Sequence, residues 1–239
     1  DIFVLLPQVS RGVLVNFRKR EVTYNLLNRN RGIDISNYVQ DMQHVLLKMK
    51  NADNVTQIMG YEGHAAKIYF LVLGKIIDPE FKFTKRTKRP PLDPFNSMIS
   101  LGYSIMLNEI YGKLEAKGLN PYFALMHRDR EKHPTLASDL MEEWRATIID
   151  SAALSMVNGH EIMKDEFYYD HEKPGVYLTG DGFKRYIRRI EDKMRTKVKY
   201  LTYVDYPVSF RNAIDLQINQ YTKFIETGDI SHYHPLIIR

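Results

Sequence analysis

Apolar residues recur at three- and four-residue intervals along most of the chain, a period that predicts helices. Ser36 N-caps one, with Val39, Met42, Val45, Leu46 and Met49 following on a single face. Asn54 opens a second, strongly apolar helix that runs to about Ile77. The pair Asp93-Pro94, a capping side chain and then proline at the first helical position, starts a third. This helix carries Met98, Ile99, Ile105, Met106, Ile110 and Leu114, and Gly118 closes it. A fourth begins near Pro134 and ends at Asn158-Gly159, and two more cover about Phe183 to Lys199 and Ser209 to Thr227. Upstream, Arg11 to Asn30 reads as a basic helical segment, and Pro79 to Pro91 as a charged loop. Strand character is confined to Asp1 to Leu6 and to the aromatic, glycine-bearing stretch from Glu166 to Gly182, where a small hairpin or irregular excursion is expected. The tail, Tyr233 to Arg239, reads as extended. The expected fold class is all-α, with at most a small hairpin.

Composition adds constraints to this outline. With 239 residues, 44% hydrophobic and 26% charged, the chain can bury a sizeable core as a soluble globular protein. It has no cysteine, which excludes disulfides, thiolate zinc sites and cysteine nucleophiles, so any metal must be held by Asp, Glu or His. That usage fits a cytoplasmic protein. No segment reaches the roughly 18 apolar residues of a membrane span, and the best candidate, Ile68 to Ile77, is interrupted by Lys75. The net charge of +5 would mean little if spread evenly, but it is clustered. Lys82, Lys85, Arg86, Lys88 and Arg89 form one group, and Arg128, Arg130 and Lys132 another. Lys184, Arg185, Arg188, Arg189, Lys193, Arg195, Lys197 and Lys199 crowd one expected helix. Such clusters suit a polyanion path, although a solvated basic face is the commoner explanation for any one of them.

Two helices carry acids in unexpected places. Glu62 shares its helical face with Ile58, Ala66, Tyr69 and Leu73, and a carboxylate on an apolar stripe is costly unless a cation or strong hydrogen bonds compensate it. A salt bridge to a nearby arginine would satisfy that need, as would a metal. In the Pro134 helix, Leu136, Leu140, Met141, Trp144, Ile148 and Ala152 form the core stripe. Asp139 and Glu142 share a neighbouring face, which Ala146 and Ala153 continue, leaving room for close approach. Glu143 is expected to turn towards Asp139 and Asp150 on the more polar side. An acidic first turn stabilised by the helix dipole is the plainer account of these acids. His127 ends the apolar stretch Tyr122 to Met126, where a histidine usually caps or packs. There is no His-x-x-x-His pair on one helix, no P-loop, no dinucleotide glycine fingerprint and no G-x-S-x-G elbow.

Taken in order, the strings Gly60-Tyr61-Glu62-Gly63-His64-Ala65-Ala66-Lys67-Ile68-Tyr69-Phe70, Arg89-Pro90-Pro91-Leu92-Asp93-Pro94-Phe95-Asn96, Gly118-Leu119-Asn120-Pro121-Tyr122 and Leu136-Ala137-Ser138-Asp139-Leu140-Met141-Glu142-Glu143-Trp144-Arg145, with His127 between the last two, form a pattern. The chain closely resembles the CRISPR-associated endonuclease of the spacer-acquisition complex, from about Val55 to Asn158 and more loosely to the C-terminus. The resemblance implies a helical catalytic domain over residues 31–239. Residues 1–30 match poorly, and the β-rich domain with which such proteins usually begin is not evident. It further implies that Glu62, His127 and Glu142 are catalytic residues and hold Mg²⁺ or Mn²⁺, with Asp139 as a close auxiliary. The implied activity is endonuclease and integrase chemistry, inserting short DNA fragments into a CRISPR array by 3′-hydroxyl attack on a phosphodiester. Arg86, Arg89, Arg128, Lys184, Arg185, Arg188 and Arg189 would then hold DNA phosphates. Implied partners are DNA (a prespacer duplex and the CRISPR repeat), a second copy of the chain and the small companion protein of the complex. A related mobile-element transposase would use the same triad. A non-catalytic DNA-binding scaffold would use the acids only to pair with arginines.

Overall fold

A computed structural model describes residues 2–28, 31–123, 133–199, 201 and 203–237, with side chains described from Val9 onward. The architecture is helical, as the apolar period predicts: α1 (Ile2–Asn28), α2 (Ser36–Met49), α3 (Val55–Ile76), α4 (Pro94–Ala116), α5 (Thr135–Arg145), α6 (Ser151–Asn158), α7 (Gly180–Arg195) and α8 (Phe210–Thr227). Two small antiparallel hairpins complete it, β1 (Phe167–Asp170) with β2 (Gly175–Leu178), and β3 (Lys197–Val198) with β4 (Val208–Ser209).

Several expectations need correction. The apolar run Asp1 to Leu6, expected as a strand, is helical from Ile2 as the start of α1. Further along this helix Val9, Val13, Phe17 and Tyr24 are buried at helical spacing, so the run extends an existing stripe. A strand there would need a sheet to join, and both described sheets are complete two-stranded units. Ser36 is the first residue of α2 rather than its cap. Asp34 supplies the capping oxygen, its Oδ1 accepting from the Ser36 backbone N–H at 2.9 Å and from Ser36 Oγ at 2.6 Å. The Asn54 and Asp93 caps are as expected, each accepting from a backbone N–H three residues on. The expected helix to Lys199 ends at Arg195, because Lys197 and Val198 pair with Ser209 and Val208 instead.

The helix expected from Pro134 to Asn158 is continuous but not uniform. Between α5 and α6, Ala146–Asp150 forms a π-helical turn. The wider turn re-phases the faces on either side of it, and such turns are frequent at functional sites. All five of its residues are buried. On one flank α1, α2 and α3 pack against each other, and α5 packs between α1 and α4. On the other flank α7 and α8 are tied to α4 by ions. The Arg211 guanidinium donates to Glu109 Oε1 at 2.7 Å and to Glu191 Oε2 at 2.8 Å, and Lys113 reaches Asp215 at 2.7 Å.

The C-terminal tail is held by Glu143, which corrects its expected polar-side placement. Glu143 is buried and accepts from the Tyr233 hydroxyl at 2.7 Å and from the Leu236 backbone N–H. The tail folds over the side of α5 that sequence spacing alone leaves open. Burial pushes the Glu143 carboxyl up to about 7 even though these donors pull it down. Glu143→Ala leaves both tail donors without their acceptor, so it should cost about 1–3 kcal/mol. Glu143→Gln keeps one acceptor and should cost less, an order that chemical denaturation at pH 8 will check.

Glu21 of α1 is also a buried acid. Burial, and then Asp41 of α2, raise its carboxyl to about 8, with Arg18 acting the other way. Because the folded value is raised, its contribution to stability is fully present below the unfolded value of 4.5 and is lost as pH rises through about 8. Glu21→Gln should therefore match the parent near pH 4 and exceed it by roughly 1–3 kcal/mol at pH 9. Urea melts at the two pH values measure the difference.

Candidate active site

Glu62 lies midway along α3, whose start is fixed by the Asn54 cap. It is half-buried and accepts a long hydrogen bond from Ser10 Oγ of α1 at 3.1 Å, which compensates part of the cost of its place on an apolar stripe. Glu142 comes from the opposite side, on α5. Its side chain is 11% exposed and pairs with Arg145, itself 13% exposed, one turn further along the same helix. Burial opposes the charged form of Arg145, but Glu142, Tyr103, Asp150 and Glu62 outweigh it and hold the guanidinium above its ordinary range. Glu142 thus pairs with Arg145 directly, whereas Glu62 acts on it only through its charge.

That cation is positioned from below by an aromatic ring. Arg145 lies over the Tyr103 ring at 5.5 Å from its centroid, and Arg86 lies over the same ring at 5.4 Å. The Tyr103 hydroxyl donates to Asp150 Oδ1 at 2.6 Å, and Asp150 belongs to the π turn. Burial raises Asp150 to about 6, although Tyr103, Arg145 and Arg86 all favour its ionised form. The Nε atoms of Arg86 and Arg145 are buried and have no hydrogen-bond acceptor among the described residues.

Above this layer opens a cleft of about 1020 Å³, walled by Glu142, Arg145, Ser138 and His133 on one side and by Tyr168, Tyr177 and Phe183 on another. Lys88, Arg89 and Lys173 are cations on its wall. A smaller cavity of about 330 Å³ reaches Gly63 and Lys67, beside Glu62 in sequence, and Arg86, Lys88 and Arg145 line both spaces.

The other site residues read from sequence have varied placements. His127 and Arg128 lie outside the described residues. Asp139 is fully buried, and its charge, after burial itself, helps raise the Tyr221 phenol to about 12. Arg86 is half-buried and spends donors on Asn96 Oδ1 and Ser100 Oγ, both at 3.0 Å, while Arg89 is exposed. On α7, Lys184 pairs with Asp181 at 3.5 Å, Arg185 with Glu166, and Arg189 with Glu161 at 2.9 Å, and Arg188 is exposed. Of that helix, only Phe183 is among the described residues of the cleft wall. Sequence reasoning missed Arg145, Tyr103 and Asp150. A basic residue one turn after Glu142 was the available signal for the first, and nothing local marked the others.

The donor set suits a hard divalent cation, because carboxylate oxygens are what Mg²⁺ or Mn²⁺ prefers and both acids already act on a positive group. Among the described residues, no cluster of three or more His, Asp or Glu forms a metal-binding group, and His127 is not among them. No described helix is long and apolar enough to cross a membrane.

Comparison with known proteins shows the family. The family model "CRISPR associated protein Cas1" matches residues 11–192. A CRISPR-associated endonuclease Cas1 of Mycobacterium tuberculosis is 34% identical over 221 residues, covering 90% of this chain and 65% of the relative. One from Methanospirillum hungatei is 35% identical over 187 residues, covering 78% of this chain and 52% of the relative. The chain therefore spans between about half and two thirds of the length of these two relatives. Among solved structures, a Cas6-RT-Cas1–Cas2 complex superposes with a TM-score of 0.84 at 22% identity, covering 97% of this chain and 24% of that one. A casposase bound to integration product superposes at 0.80 with 20% identity, covering 94% of this chain and 61% of that one. At those identities the two structures show a shared fold, whereas the sequence match runs through α1 to α7 and includes Glu62, Glu142 and Arg145. The chain belongs to the Cas1 family of CRISPR-associated proteins.

Proposed function

We propose that this chain is the helical catalytic part of a divalent-metal-dependent DNA endonuclease and integrase that inserts short DNA fragments into a CRISPR array. The observation that carries the reading is Glu142, a nearly buried carboxylate on the wall of a cleft that also bears Lys88, Arg89 and Lys173, in a chain of the Cas1 family. Glu62, His127 and Glu142 would hold Mg²⁺ or Mn²⁺, with Asp139 close by. A bound dication supplies charge neutralisation at the attacked phosphate and activation of the attacking oxygen. In strand transfer a 3′-hydroxyl oxygen forms the new bond to phosphorus, the bond to the leaving oxygen breaks, and the hydroxyl proton passes to solvent or a basic group. Arg145 limits the repulsion between the acids. Lys88 and Arg89 bind flanking phosphates, a largely sequence-neutral and salt-sensitive contribution.

Names among the solved neighbours support the partners: one contains Cas2, and another is bound to an integration product. We accordingly propose a homodimer that works with the small companion protein on prespacer and repeat DNA, in the cytoplasm where that DNA resides. The Glu142–Arg145 pair favours a second reading, a DNA-binding scaffold whose acids only balance arginines.

The two readings part at Glu142. Glu142→Gln should lower strand transfer of a 3′-hydroxyl duplex into a repeat-bearing plasmid on the order of a hundredfold or more, while DNA binding persists. EDTA should reproduce the loss in the parent. A parent that binds DNA without metal-dependent strand transfer would leave the scaffold reading standing, and equal activity of parent and variant under saturating Mn²⁺ would remove Glu142 from the site.

Phosphate binding can be read from salt dependence. Replacing Lys88 and Arg89 with Gln should flatten the slope of log affinity against log salt by about 0.9 for each phosphate no longer neutralised. Reversing Arg185, Arg188 and Arg189 should flatten it less, since Glu166 and Glu161 already neutralise two of them. A larger fall from the helix than from the loop would relocate the DNA path to α7.

A further inference from the structure

The β1–β2 hairpin brings aromatic rings to the cleft that the reaction itself does not use. In this antiparallel pair Tyr168 stands directly opposite Tyr177, so both side chains project from one face, while Tyr169 opposite Val176 projects from the other. The Tyr168 and Tyr177 rings lie 6.0 Å apart, tilted by 40°, and both line the cleft that holds Glu142. Tyr168 is 51% exposed, whereas Tyr177 is half-buried behind it. Gly175 keeps Tyr177 low: a Cβ at that position would meet the phenol oxygen at 2.9 Å and ring carbons at 3.1 Å.

The hairpin is fixed to the charged loop. The Val176 N–H donates to the Pro91 carbonyl at 2.9 Å, and Phe167 packs edge-on against Phe81 at 6.0 Å. The rings therefore keep a set position relative to Lys88 and Arg89, and Lys173 of the hairpin turn adds a third cation to the same cleft.

We propose that Tyr168, backed by Tyr177, is a stacking platform for an unstacked nucleobase of the strand whose phosphate lies at Glu142. This deepens the DNA reading above and rests on it. Aromatic faces beside cations suit a strand that offers bases and phosphates together, and every base has a face to stack. A base held in a duplex is covered by its neighbours, so the platform selects a locally unpaired segment. The rings form a platform rather than a clamp, because a base between them would need parallel rings about 7 Å apart. Tyr169 serves as an internal control. It is 49% exposed on the opposite face, beside His171, and is not part of the cleft wall.

The test compares the parent with Tyr168→Ala/Tyr177→Ala, with Tyr168→Phe/Tyr177→Phe and with Tyr169→Ala. Each binds a blunt duplex, or the same duplex carrying an unpaired tail with 2-aminopurine, in EDTA so that no strand is cut. The double alanine variant should lose on the order of tenfold in affinity for tailed DNA, together with the stacking quench of 2-aminopurine, and keep its affinity for the blunt duplex. The phenylalanine and Tyr169→Ala variants should behave as the parent. A double alanine variant that keeps the quench, or that loses both DNAs equally, overturns the platform. A parent that binds DNA without preferring the tail overturns the platform alone, and a parent that binds neither DNA overturns the DNA reading with it.

Discussion

A buried carboxylate must find positive charge or strong donors, and around the cleft of this protein that requirement falls on Arg145. Its guanidinium pairs with Glu142, feels Glu62 across the gap between α3 and α5, and shares the Tyr103 ring with Arg86. Tyr103 in turn is anchored on Asp150 in the π turn. Because Arg145 is itself nearly buried, removing it would strand Glu142, the kind of broken pair that costs several kcal/mol.

Adjacent residues show how strongly packing sorts chemistry. Glu142 and Glu143 differ by one position on α5, about 100° of rotation. The first reaches the cleft, and the second is sealed under the C-terminal tail with Tyr233 and Leu236. One is placed for work on a ligand and the other closes the fold. The tail thus matters to the site indirectly, by completing the burial of the helix that presents Glu142.

The cleft combines features that a polyanion would use separately. Cations from the Lys88–Arg89 loop and from Lys173 line it, the Glu142 carboxylate marks one wall, and the hairpin supplies ring faces on another. The more heavily charged α7 contributes Phe183 to that wall and spends Arg185 and Arg189 on ion pairs with Glu166 and Glu161. Density of charge in sequence was therefore a weaker guide to the cleft than proximity in space. The family assignment fits this arrangement, since relatives about a third identical to the chain over the aligned stretch carry the name endonuclease.

Local sequence determined the helices, their Asn54 and Asp93 caps, the β1–β2 hairpin and the anomaly of Glu62 on an apolar stripe. Each of these depends on residues within a few positions of one another, so periodicity and cap chemistry suffice to read them. The order of motifs likewise marked the family and singled out Glu142. Tertiary structure alone decided that the first apolar run joins α1, because that choice depends on whether a sheet partner exists. It also decided that Glu143 serves the tail, that Arg145 answers both Glu62 and Glu142, and that Tyr103 and Asp150 support it. Those outcomes depend on which distant helix or tail covers a given face, and a charge's environment is set by everything packed around it rather than by its neighbours in the chain.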